Sequence, residues 1–122
     1  MRKIESQMLL AIHNRKDWSS VNTRVSVTYF AHGENIIDRA TVYLHNSPIA
    51  EITPKSVTVN NCGYKTATTK SRISAILREF CGASIYQRDF VWYISPDGEP
   101  DLEFESDTPC TLTRLDVTQP VS

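Results

Sequence analysis

The chain has 122 residues, 40% of them apolar and 22% charged, with a formal net charge of −1. That is long enough for one compact domain with its own core and ordinary in composition for a globular protein. No run approaches the roughly 18 apolar residues of a membrane span, and residues 8–12 are too short and lack a small-residue cleavage site for a signal peptide, so the expected location is cytoplasmic.

Residues 3–16 read as a first helix: Ile4, Met8, Ala11 and Ile12 share a face, and Arg15 and Lys16 suit the negative pole of its last turn. The segment Asp17-Trp18-Ser19-Ser20 breaks it, with Trp18 as its anchor on the sheet. Residues 23–30 alternate, with Val25, Val27 and Tyr29 opposite Arg24, Ser26 and Thr28, the pattern of a half-buried strand. Turn chemistry at His32-Gly33-Glu34-Asn35 leads to strands at 40–44, 49–52 and 56–60, separated by Asn46-Ser47-Pro48 and Pro54.

Residues 65–82 hold the clearest helix. Ile73, Ile76, Leu77 and Phe80 fall at i, i+3, i+4 and i+7, Thr68 is the expected N-cap, and Gly82 fits the left-handed terminator. Strands then follow at 84–87 and 90–94, reversing at Arg88-Asp89, which lacks the glycine such hairpins prefer. After the turn Ser95-Pro96-Asp97-Gly98, an edge strand is expected at 102–104, with Glu103 and Glu105 facing outward, and a last strand at 111–115.

The fold class is therefore α+β: a single domain over 1–118 with a frayed 119–122, built as a curled, mainly antiparallel sheet with two helices packed on it. The element order is α-β-β-β-β-α-β-β-β.

Charge is unevenly spread. Lys and Arg exceed Asp and Glu by five up to Trp92 and fall short by six from Tyr93 onward. The first excess is most telling at the start of the second helix. Lys65, Lys70 and Arg72 gather where the macrodipole disfavours cations, beside the hydroxyls of Thr66, Thr68, Thr69 and Ser71 and the ring of Tyr64. Free N–H groups, hydroxyls and cations together suit an anion, and phosphate contacts of this kind bind nucleic acid without reading its sequence. Tyr64, Lys65, Thr68, Thr69, Lys70, Ser71 and Arg72 are thus the candidate nucleic-acid contacts, with Arg24, Arg39 and Arg88 able to extend the face. The rival surface is the acidic run Asp97, Glu99, Asp101, Glu103, Glu105 and Asp107, which on an extended chain lines up carboxylates for a basic protein partner.

Catalytic and metal chemistry find little to work with. His13, His32, His45, Cys62, Cys81 and Cys110 show neither C-x-x-C nor closely paired histidines, so no metal site is expected. An odd number of scattered cysteines argues for buried thiols rather than a disulfide framework. There is no G-x-S-x-G, and the four glycines form no phosphate loop, so neither an enzyme nor a cofactor is expected.

Several blocks resemble one known group. They are Asn22-Thr23-x-Val25; Val42-Tyr43-Leu44-His45 with Ile49-Ala50; Gly63-Tyr64-x-Thr66-x-Thr68-Thr69-Lys70-Ser71-Arg72-Ile73-x-Ala75-Ile76; and Gln87 before Trp92-Tyr93. Together they are similar to small accessory proteins of tailed bacteriophages, over roughly residues 22–94. Tyr64 and Ile73 stand where the group often has Trp and Leu, and the acidic tail lies outside the likeness. The resemblance implies a phage setting inside an infected bacterium and no settled activity. The expectation is a non-enzymatic phage accessory protein that binds nucleic acid through the basic start of the second helix. The alternative is a host-protein inhibitor or adaptor acting through the acidic edge or an exposed aromatic.

Overall fold

A computed structural model describes residues 2–115. The elements in chain order are α1 (Lys3–His13), β1 (Trp18–Ser20), β2 (Thr23–His32), β3 (Asn35–Leu44), β4 (Ser47–Ile52), β5 (Ser56–Val59), α2 (Ala67–Cys81), β6 (Ser84–Arg88), β7 (Val91–Ser95), β8 (Leu102–Glu103) and β9 (Cys110–Thr113). The α+β class holds, with all strand pairs antiparallel. The single curled sheet does not. Six strands order as β1-β2-β3-β4-β5-β9 and three as β6-β7-β8, and neither sheet is closed or strongly curled.

The strands that follow α2 directly, β6 to β8, pair among themselves, and β9 returns to the large sheet. α2 contacts β4 and β5 of the large sheet and β6 of the small one. Its buried surface is accordingly broad: Ile73, Ala75, Ile76, Leu77, Phe80 and Cys81 all pack inward. The core joins them to Met8 and Ile12 of α1, Val25, Val42, Ile52, Val57 and Val59 of the large sheet, and Trp92, Ile94 and Phe104 from the small-sheet side. α1 packs on β1 and β2.

The strand register carries the alternation across the sheet. Val25 faces Val42, which faces Ala50, which faces Val59 on the helix side, while Arg24 opposite Tyr43 points away. The bare side carries two rings under guanidinium groups, Arg24 at 4.0 Å from the Tyr43 centroid and Arg39 at 5.2 Å from that of Phe30. Arg24 and Arg39 therefore do not extend the face at the start of α2. Arg88 lies on the small sheet, 5.7 Å from the Tyr86 ring.

Local expectations shift in four places. α1 stops at His13, and Arg15 adopts a left-handed φ of 52° and pairs with Asp38 instead of serving the last turn. Trp18–Ser20 is a strand, pairing with Thr23–Val25 of β2, rather than a simple break. β3 begins at Asn35, so β2 and β3 form a long hairpin whose outer half, beyond Val25 and before Ala40, pairs only with itself. The N-cap of α2 is Thr66, not Thr68: the Thr66 hydroxyl accepts the Thr69 N–H at 3.1 Å and lies 3.0 Å from the Thr69 hydroxyl. Gly82 ends the helix at φ 64°, a left-handed conformation that calls for glycine. The expected strand at 111–115 is β9, which leaves its chain neighbours to pair with β5; the expected frayed end at 119–122 lies outside the described residues.

A candidate binding surface around the start of the second helix

Asn61 builds the approach to α2. It is fully buried, and its side-chain oxygen accepts N–H bonds from Gly63 at 2.9 Å and Asp107 at 2.8 Å. Its backbone carbonyl takes the Tyr64 N–H at 2.9 Å. The loop is thereby pinned, and Tyr64 and Lys65 emerge from it at a set position. Lys65 donates to the Phe90 carbonyl at 2.6 Å and places its ammonium 5.9 Å from the Trp92 ring centroid. It braces the β6–β7 turn.

A cleft opens beside it, lined by Leu44, His45, Ile49, Tyr64, Thr66, Thr68 and Thr69. His45 stands in the β3–β4 turn, and its N–H reaches the Asn22 carbonyl at 2.9 Å, drawing in the β1–β2 turn that carries Val21. Three turns thus surround one helix end. Each displays an unusual choice. Val21 (φ 52°), His45 (50°), Asn46 (67°), Asp89 (52°) and Phe90 (67°) all adopt left-handed backbone conformations. For a β-branched or bulky residue this is a true outlier, costing about 1–2 kcal/mol. Yet Val21 is 98% exposed and Phe90 83%, so neither recovers that cost by packing; Tyr64, just before the helix, is 57% exposed. The glycine-free reversal expected at Arg88-Asp89, with Phe90 in the next strand, lies one residue later, at Asp89-Phe90, so Phe90 leaves the strand and holds up a bare ring.

The cations of the expected anion site separate. Arg72 is 3% exposed. It donates to Glu5 at 2.7 Å and to the Thr23 hydroxyl at 3.1 Å, and Ser71 donates to the same Glu5 oxygen at 2.5 Å. These two residues serve a junction of α1, α2 and β2 and leave the candidate surface. The misplaced positive charge is answered from within by α1. Lys70, two positions earlier and so about 200° away around the helix, stays outside, in a groove lined with Arg2 and Arg78. Thr69 is buried as part of the cap. Tyr64, Lys65 and Thr68 remain at the surface end of the helix.

The acidic run does not form one extended side. Asp101 accepts the Tyr86 hydroxyl at 2.6 Å. Glu103 sits in β8 opposite Tyr93, while Asp97 and Glu99 line a groove with Arg114 and Leu115, and Glu105 lies in a following loop. The bond from Tyr86 holds the Asp101 carboxyl below its usual range and, from the other side, raises the Tyr86 phenol. Burial raises the Cys110 thiol, and burial together with Asp107 raises that of Cys62, which disfavours reactive thiolates. Among the described residues no group of His, Cys, Asp and Glu could hold a metal ion, and no helix is long and apolar enough to cross a membrane.

A small α+β protein with a candidate binding surface is what the fold defines. A family model described as Kyanoviridae Gp96 protein matches residues 1–111, so the chain belongs to this cyanophage family. The match includes the acidic run 97–107 that the earlier resemblance left aside. No curated protein and no solved structure matches the chain.

Proposed function

We infer that this protein is a non-enzymatic phage accessory protein that docks onto a host protein through the turns around the start of α2. One observation carries the reading: Val21 and Phe90 accept backbone strain to hold apolar side chains in solvent, and Tyr64 before the same helix is exposed too. Strain of this sort persists where function over-determines it, and exposed aromatics held by rigid turns are the usual anchors of an interface. The cleft under Tyr64, with Leu44 and Ile49 in its wall, gives a partner side chain somewhere to enter.

This is the host-protein alternative moved from the acidic edge to an exposed aromatic. The nucleic-acid reading at the same helix end loses its main support once Arg72 and Ser71 are given to Glu5. The acidic edge is weakened in the same way by the Asp101–Tyr86 bond.

The test is photocrosslinking in infected host cells, with a benzophenone amino acid at position 90, at 64, and at Thr111 on the bare side of the sheet. Nuclease-resistant adducts at 90 and 64 but not at 111 support the reading. The captured protein, once purified, should bind Phe90→Gly about 30-fold more weakly, the size of a hot-spot loss. Adducts independent of position, or a partner indifferent to Phe90→Gly, would remove it.

A further inference from the structure

The groove between α1 and α2 is lined by Arg2, Glu5, Ala67, Lys70, Ser71, Ser74, Ala75, Arg78 and Ile85. Its charge is one-sided. Glu5 is the groove's one carboxylate, and it is buried and already matched by Arg72. Lys70, Ser74 and Arg78 recur at i, i+4 and i+8, one straight row on α2. Arg2 adds a third cation from the start of α1, whose N-cap brings no side-chain acceptor to the first-turn N–H groups. Among the described residues none of these three cations forms an ion pair. Small residues, Ala67, Ser74 and Ala75, keep the floor low between them.

Three unpaired cations along a groove, with a hydroxyl among them and no ring to receive a base, match a chain of phosphates rather than a single planar ligand. We propose that this groove binds the phosphate backbone of nucleic acid, without reading bases. It is independent of the protein-docking surface, shares none of its residues, and rests on charge complementarity rather than on strained turns. It also moves phosphate binding away from the start of α2, where the internal use of Arg72 had removed it, to the flank of the helix.

The experiment is a fluorescence-anisotropy titration of the whole protein with labelled single-stranded and duplex DNA, between about 50 and about 200 mM salt. Three phosphate contacts give a log–log salt slope of about −2.7 on duplex and about −2.1 on single strands. Lys70→Ala with Arg78→Ala should cut the magnitude by about two thirds, because two of three contacts go. Both side chains lie away from the core, and an unchanged melting temperature will confirm that the variant folds. Absence of binding at low salt overturns the proposal, as does a slope untouched by the double variant. So does a slope that falls instead with Arg24→Ala plus Arg39→Ala on the bare face of the sheet.

Discussion

Two regions of this molecule use polar and apolar groups in opposite ways. At the junction of α1, α2 and β2, a charged pair is taken out of water and fully furnished with partners: Arg72, Glu5, Thr23 and Ser71. At the turns around the start of α2, apolar side chains are put into water on strained backbone. The first arrangement makes sense only for the folded chain by itself. The second costs the folded chain free energy and gives nothing back until something else arrives. A residue's type does not tell which region it belongs to; its partners do.

The contrast can be broken most directly at the junction. Arg72→Ala leaves Glu5 buried without a counter-charge and should cost about 3–5 kcal/mol in urea unfolding, a large part of the roughly 5–15 kcal/mol available to a domain. Arg72→Met combined with Glu5→Leu should recover most of that loss, because an apolar pair replaces the ionic one. A single variant without effect would mean that the junction does not hold the helices.

The turns should respond with the opposite sign. Phe90→Gly and Val21→Gly each relieve a left-handed conformation, and each should stabilise the protein by about 1 kcal/mol while weakening partner capture. Stabilisation without any loss of binding would sever strain from function.

The smallest effect sharpens the comparison with a pair that is polar, paired and exposed. Asp101→Asn should lower the Tyr86 phenol toward its ordinary range, read by phenolate absorbance in an alkaline titration. The Asp101 carboxyl is depressed, so what it contributes is present above its unfolded value and fades as pH falls through the folded one. The Tyr86 phenol is raised, so its share is present below its unfolded value and fades as pH rises through the folded one. The contact therefore operates across the whole neutral range, and solvent screening keeps its effect on stability slight.

How much of this was legible depended on range. The stripe of Ile73, Ile76, Leu77 and Phe80 was readable because helical period is local, and all four are buried as expected. β1 was not, because three residues with one apolar member carry no period. The cap could not be chosen among Thr66, Thr68 and Thr69 by type, since any hydroxyl will serve and only the entry angle of the chain decides. Arg72 was misjudged through its sequence neighbours. It sits four before Ile76 on the apolar stripe, as Glu5 sits four before Leu9, which is buried on α1. Opposite charges on two buried faces were the signal that they meet. The two sheets were invisible because nothing local tells β9 to pair with β5 rather than with β8.

The long hairpin of β2 and β3 has a consequence of its own. Its outer half has no third strand, and a two-stranded ribbon is marginal alone in water. Its fastenings are the Asp17 carboxylate on the Val27 N–H and the Arg15–Asp38 pair. Amide protons from Tyr29 to Ile37 should trade with deuterium well before those of β4 and β5, so the large sheet opens from this tip inward, and its slowest hydrogens mark where the helices sit.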